Sequence, residues 1–166
     1  SRVMQLMEIT GDQLHPLQKL KVLLVGGEAF SDKLYELLKF KLPQTSSING
    51  YGPTECTIYA SSLIIPESKE LSIGTPQVNG IIYIIDGQGN LCPIGVKGEI
   101  CISGNSQARG YLNRPELTDE KFVANPFVEG ETMYRTGDIG TWLPDGNIKF
   151  IGRLDHQVKI RGYRIE

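Results

Sequence analysis

The stretch KVLLVGGEAFSDKLYELLKFKLPQTSSINGYGPTE, Lys21 to Glu55, decides the fold. Val22 to Val25 is a continuous apolar run closed by Gly26-Gly27, the pattern of a buried strand. Ser31-Asp32 offers a helix cap, and Leu34, Leu37 and Leu38 then fall on one face of a helix that Pro43 stops. Ser46 to Asn49 reads as a second short strand. Residues 20 to 50 are therefore expected to form a strand, helix, strand unit of a parallel sheet, which sets the fold class as α/β.

That unit runs straight into NGYGPTE, Asn49 to Glu55. Gly50 and Gly52 remove the Cβ atoms on both sides of Tyr51, so a flat ligand can approach the backbone and stack on the phenol ring. Stacking of this kind is worth roughly 1 to 3 kcal/mol per base in single-strand binding proteins. Pro53 fixes the next φ angle and so aims Thr54 and Glu55. A hydroxyl beside a carboxylate suits a phosphate oxygen held together with Mg²⁺, which takes one or two protein carboxylates and completes its shell with phosphate and water. The turn thus suits a nucleotide, although Gly-Tyr-Gly-Pro is also good turn chemistry in its own right. The next six residues, CTIYAS, Cys56 to Ser61, read as a strand.

Working outward, Val3, Met4, Leu6 and Met7 share one side of a helical projection, and Gly11-Asp12 ends that element. Beyond Pro66 the texture changes to short β-rich runs separated by turn residues. Ile81 to Ile85 and Gly98 to Ser103 flank the turn Asp86 to Asn90, while Tyr134 to Leu143 and Asn147 to Gly152 flank Pro144-Asp145-Gly146. Those are two hairpins of a small barrel or sandwich. No repeat period and no low-complexity linker interrupts them.

The composition excludes several classes of function. With 17 Lys and Arg against 19 Asp and Glu, the formal charge is -2 and no basic block offers a nucleic-acid surface. The longest apolar run, Ile81 to Ile85, falls far short of the roughly 20 residues that cross a bilayer, and the start carries no signal pattern, so a cytoplasmic location is expected. Cys56, Cys92 and Cys101 form no Cys-x-x-Cys pair, and His15 and His156 stand far apart. A zinc or disulfide framework is not expected, and Cys101, inside the alternation Ile100-Cys101-Ile102, reads as a small core side chain.

Two further segments carry chemistry. In Tyr134-Arg135-Thr136-Gly137-Asp138 a β-rich run pauses at Gly137 and presents Asp138, and a carboxylate there can accept both hydroxyls of a ribose. A plain turn aspartate would look the same. Arg153, in Gly152-Arg153-Leu154-Asp155, follows a strand and is within reach of ribose or phosphate, whereas Lys159, Arg161 and Arg164 read as a solvated hairpin face.

Taken in order, the segments resemble the adenylate-forming enzymes, and most closely the adenylation domains of nonribosomal peptide synthetases. The resemblance runs through LLVGGEAF at 23 to 30, NGYGPTECT at 49 to 57, GEICISGNSQARGYLNRPELTDEKF at 98 to 122, YRTGDIGTWLPDG at 134 to 146 and GRLDHQVKIRGYRIE at 152 to 166. It implies that an amino-acid carboxylate attacks the α-phosphate of ATP to give aminoacyl-AMP and pyrophosphate. The acyl group then passes to the phosphopantetheine thiol of a carrier protein.

Residue by residue, the resemblance implies that Tyr51 stacks on adenine and Asn49 touches its edge, with Gly27 and Glu28 lining the nucleotide pocket. Thr54 would bind the α-phosphate, Glu55 would hold Mg²⁺, Asp138 would take the ribose hydroxyls, and Arg153 would contact ribose or phosphate. Phe150 stands where such domains often carry a tyrosine near the ribose. Leu24, Gly26, Gly50, Ile58 and Tyr59 would line the amino-acid pocket, and none is charged, which favours an uncharged substrate side chain.

The implied organisation is three-part, as a fragment of the large amino-terminal part of such an enzyme. Residues 1-65 form the carboxy-terminal part of an α/β nucleotide-binding subdomain, residues 66-154 a β-rich, barrel-like subdomain, and residues 155-166 the hinge, at Asp155, with the truncated start of the carboxy-terminal subdomain. The family's glycine-rich phosphate loop with its lysine, its amine-gripping aspartate and its second catalytic lysine do not occur in these residues. The chain alone is accordingly expected not to catalyse adenylation. A D-alanine or acyl-activating ligase of the same superfamily, and a non-catalytic β-rich interaction module, are the alternative readings.

Overall fold

The computed structural model describes residues 3–5, 17–27, 30–65, 71–155, 158–160 and 163–165, the last two stretches by their backbone. The expected first unit is present. β1 (Val22–Gly26) and β2 (Ser46–Tyr51) pair in parallel, with Leu24 opposite Ile48 and Gly26 opposite Gly50. Between them runs α1 (Asp32–Lys41), whose Ser31 side chain accepts the Leu34 N–H at 3.2 Å, one of the amide donors a helix start leaves without an intrahelical partner. Leu34, Leu38 and Leu42 of this crossover pack on Val25 in one small core. The helical residues Val3 and Met4 lean on the same core, as their spacing predicts, while Leu6, Met7 and the Gly11-Asp12 stop lie outside the described residues.

The sheet then turns antiparallel. β3 (Ser61–Ile64) pairs with β2, and β4 (Thr75–Pro76) with β3, giving the order β1-β2-β3-β4. This sheet therefore reaches past the expected boundary at residues 65 and 66.

One expected element is corrected here. Cys56 to Ser61 is not a strand: a single 3-10 turn covers Thr54–Cys56, Thr57 and Ile58 take positive φ angles of 53° and 77°, and pairing resumes only at Ser61. The chain must reverse between Tyr51 and Ser61, which lie opposite each other, and that geometry overrides the β propensity of Thr, Ile and Tyr. The bond from Ala60 N–H to the Tyr51 carbonyl, 2.8 Å, closes the reversal.

The second body is a five-stranded sheet. β5 (Gly80–Ile85) and β6 (Gly98–Gly104) form the first expected hairpin, while β8 (Thr132–Trp142) and β9 (Ile148–Arg153) form the second. β6 pairs with β8, so both hairpins join one curled half-barrel sheet. The free side of β8 is shared end to end: β7 (Phe122–Ala124) covers Thr132 to Tyr134 and β9 covers Asp138 to Trp142. α2 (Pro115–Lys121) leads into β7. A separate antiparallel pair, β10 (Val158–Ile160) and β11 (Tyr163–Ile165), ends the described chain. The side chains of Lys159 and Arg164, and all of His15, His156 and Arg161, lie outside the described residues.

Ile82, Ile84, Ile100, Ile102, Tyr134 and Ile148 fill one face of the five-stranded sheet. Cys101 is fully buried on the other with Ile85 and Met133, which meets the expectation of a core cysteine. Cys56, Ala60 and Ile73 belong to the first of these cores although they follow strands of the other sheet. The reversal after β2 is thus the joint between the two bodies.

Candidate functional site

The seam at this joint collects the polar residues. Tyr51 ends β2, packs its ring against the core of the curled sheet, and donates its hydroxyl to Asp138 Oδ2 at 2.6 Å. Arg153, the last residue of β9, donates Nη1–H to Asp138 Oδ1 at 2.6 Å. Its Nε–H and Nη2–H fork onto the two oxygens of Asp155 at 2.7 and 2.8 Å. Side chains from up to 87 positions away in the sequence therefore converge on one buried carboxylate.

Asp138 owes its position to an irregularity. Glu99 pairs with Ile139 and Cys101 with Arg135, so Arg135 to Ile139 on β8 spans a length that β6 covers with Glu99 to Cys101. The extra residues bulge, and a bulge re-aims a side chain out of the ladder. Local bonds hold it. Thr136 Oγ1 donates to the Ile100 carbonyl at 2.7 Å and accepts the Asp138 N–H at 2.9 Å, while buried Glu99 takes Arg135 through Nε–H and Nη2–H and accepts the Gly137 N–H at 3.0 Å. Gly137 sits at φ 72°, and a Cβ there would stand 3.0 Å from Arg153 Nη2, so glycine serves both the backbone and the arginine.

Burial and the neighbouring Asp138 charge push the Tyr51 phenol well above its ordinary range. Tyr51 thus remains a donor at any physiological pH. Arg153 is pushed up as well, chiefly by its bond to Asp155.

Beside this cluster, Thr54 and Glu55 occupy the 3-10 turn. Glu55 is 6% exposed. Its Oε1 accepts the Tyr111 hydroxyl at 2.6 Å, and that hydroxyl lies 3.5 Å from the Tyr134 hydroxyl. Tyr134 is buried, and desolvation holds its phenol in the neutral form. Phe150 lies at the exposed margin, its ring centroid 6.2 Å from that of Tyr51 and tilted 43°.

The other expected residues fall into two groups. Asn49 is buried and donates Nδ2–H to the Ser72 carbonyl at 2.8 Å, a bond the sequence did not suggest. Gly27 has φ 82° with open space where a Cβ would stand, and Glu28 lies outside the described residues. Strand alternation sends Gly50 and Tyr51 to opposite faces, so Gly50, with Gly26 opposite it, faces away from the Asp138 cluster. There the Tyr59 ring lies over both glycines: a Cβ on Gly26 or Gly50 would come within 2.6 Å of its ring carbons, and Leu24 Cδ1 is 3.3 Å from the Gly50 position. Ile58 is exposed at the rim.

Tyr111, Thr136, Glu99 and Ser72 were not singled out from the sequence. Tyr111 stands between Gly110 and Leu112 in an irregular stretch, and Thr136 between Arg135 and Gly137, so neither position carries a periodic signal that its side chain reaches the seam. Among the described residues no cluster of three or more His, Cys, Asp or Glu could hold a metal ion. A single carboxylate beside a hydroxyl instead fits Mg²⁺ that completes its shell with phosphate and water.

Fold and seam define a class: an α/β unit whose strand ends meet a curled antiparallel sheet, with the polar cluster beyond the carboxyl ends of the parallel strands, where α/β sheets bind ligands. The family described as AMP-binding enzyme matches residues 2–112, and the chain belongs to that family. Tyrocidine synthase 3 of Brevibacillus parabrevis is 51% identical over 161 residues, which are 96% of this chain and 2% of that protein. Gramicidin S synthase 2 of Brevibacillus brevis is 52% identical over 149 residues, 89% of this chain and 3% of its own length. The chain therefore spans only 2% to 3% of these relatives. Among solved structures, holo-PA1221, described as an NRPS protein containing adenylation and PCP domains bound to a vinylsulfonamide inhibitor, matches with a TM-score of 0.81 and 32% identity over 88% of this chain and 26% of that one. The resemblance to adenylation domains of nonribosomal peptide synthetases is borne out by these matches.

Proposed function

We propose that the chain is part of an amino-acid-activating adenylation domain, one that forms aminoacyl-AMP from ATP and an amino acid and loads it as a thioester on a carrier protein in nonribosomal peptide synthesis. The observation that carries this reading is the convergence of Tyr51 and Arg153 on Asp138 beside the turn that holds Thr54 and Glu55.

A carboxylate offers about four acceptor positions, which lets Asp138 keep both protein donors while accepting ribose hydroxyls. Tyr51 and Phe150 form the aromatic side of the nucleotide pocket, with Asn49, Gly27 and Glu28 along its edge. Thr54 donates its hydroxyl to an α-phosphate oxygen, and Glu55 holds Mg²⁺. Mg²⁺ held there would supply neutralising charge to the phosphates. Arg153 serves ribose or phosphate at one end and Asp155 at the other, so the hinge begins beside the nucleotide.

Leu24, Gly26, Gly50, Ile58 and Tyr59 line the amino-acid pocket on the opposite face of β2, which lets one strand end hold both substrates. The division at residues 65 and 154, with the hinge at Asp155, belongs to the same proposal. Partners are a carrier protein bearing phosphopantetheine and neighbouring synthetase domains. No helix of the described residues is long and apolar enough to cross a membrane, and a cytoplasmic setting is proposed.

The test is pyrophosphate exchange by the full-length protein that carries this chain. Exchange is expected only when one of a panel of L-amino acids with uncharged side chains is present. Exchange driven by D-alanine or fatty acids alone would favour the acyl-activating alternative, and none with any carboxylic acid would favour the interaction module.

A further inference from the structure

Glu55 stands in a 3-10 turn of three residues, Thr54–Cys56, too short to fix a long side chain by helical packing alone. The segment from Ser106 to Tyr111 straps that turn. Ala108 N–H donates to the Glu55 carbonyl at 2.8 Å, and Thr57 Oγ1 donates to the Ser106 carbonyl at 2.7 Å. These two bonds attach the strap through main-chain atoms. The Tyr111 hydroxyl does something different: it selects one oxygen of the Glu55 carboxylate, Oε1, at 2.6 Å.

Tyr111 is itself held on several sides. Its N–H donates to Thr118 Oγ1 of α2 at 2.9 Å, its ring meets Phe122 edge-on at 5.7 Å, and its oxygen is 3.5 Å from that of Tyr134. The Phe122 ring in turn packs on Tyr134 at 5.0 Å. α2 and the start of β7 thus brace one phenol whose tip ends on one carboxylate.

We propose that Tyr111 is a positioning residue, whose hydroxyl sets the Glu55 carboxylate in the orientation that receives the divalent cation accompanying the nucleotide. The inference rests on the reading of Glu55 as the Mg²⁺ ligand. Hydrogen-bond partners of ligating carboxylates fix the ligand's direction, and a neutral phenol does so without cancelling the negative charge the cation needs. Removing only the hydroxyl, as in Tyr111→Phe, keeps the ring against Phe122.

The test is a Mn²⁺ titration of the full-length protein followed by electron paramagnetic resonance, with α,β-methylene-ATP as the nucleotide. Tyr111→Phe is expected to raise the Mn²⁺ dissociation constant about tenfold, the range seen when such a partner is lost. Nucleotide affinity measured in EDTA should stay unchanged, which a merely structural role for the hydroxyl would not ensure. Glu55→Gln, measured alongside, is expected to weaken Mn²⁺ binding further still. Unchanged Mn²⁺ affinity in Tyr111→Phe with a clear loss in Glu55→Gln overturns the positioning role and leaves the ligand reading intact. No loss in either variant, or no Mn²⁺ bound by the wild type, overturns both. Equal losses with and without metal in Tyr111→Phe also overturn it, as general damage to the pocket.

Discussion

The two sheets solve burial differently. In the curled sheet, β6 buries six of its seven residues, because one face meets Ile82, Ile84 and Tyr134 while the other meets Ile85 and Met133. In the first sheet, α1 covers only the face that carries Leu23 and Val25. The opposite face leaves Val22 54% and Ile64 69% exposed. The curled sheet therefore holds its shape through its own core, whereas the first sheet depends on one helix and on the joint that Cys56 and Ala60 drive into its neighbour. The polar seam lies on that joint, so it is anchored on the more deeply buried body.

The sharpest way to break this comparison is to open the curled core. Ile100 is fully buried, and Ile100→Ala is expected to cost about 3 to 5 kcal/mol in a denaturant titration, with loss of both sheets together. Survival of the curled sheet with an unchanged midpoint would show that its core is not what holds the seam.

Alkaline pH should strain the same body more gently. Burial pushes the Cys56 and Cys101 thiols up to about 12 from the ordinary 9.0. An unfolded chain releases those protons first, so the stability they contribute is complete below pH 9 and falls as pH rises toward 12. By pH 10 each thiol accounts for a loss of about 1 kcal/mol. Tyr51 and Tyr134, also pushed up, act in the same direction at higher pH. A flat stability profile from pH 8 to pH 11 would contradict the burial of both cysteines.

The smallest effect belongs to the open face. Ile64→Thr, at a position 69% exposed, is expected to change stability by no more than about 0.5 kcal/mol. A loss several times larger would mean that this face is covered in solution.

Much of this was legible in the residues. The β1-α1-β2 unit followed from the Val22 to Val25 run, the Ser31 cap and the leucine spacing, each a local signal. The run is not buried on both faces as expected, however: Val22 and Leu24 are 54% and 44% exposed, because α1 covers one face only. Both hairpins followed from their turn residues in the same way. The segment after Glu55 was misread, since a chain reversal with positive φ at Thr57 and Ile58 goes against the preferences of those residues and is imposed from outside. The site was legible as separate motifs. That Tyr51 reaches Asp138 was not, because strand register and a bulge bring that pair together from 87 positions apart. Nor was it legible that Tyr111 reaches Glu55, 56 positions away, because a loop strap tied through Ala108 and Thr118 carries the phenol there. No periodicity carries information across such spans.

The central claim is that Asp138 in the seam reads the ribose of an adenine nucleotide. A double cycle on the full-length protein tests it most directly, comparing AMP with 2′,3′-dideoxy-AMP in the wild type and in Asp138→Asn by calorimetric titration. The wild type is expected to prefer AMP by at least about tenfold, as a hydrogen bond to a charged group contributes roughly 1.5 to 3 kcal/mol, and the variant to lose most of that preference. An equal preference for AMP in both proteins would contradict it.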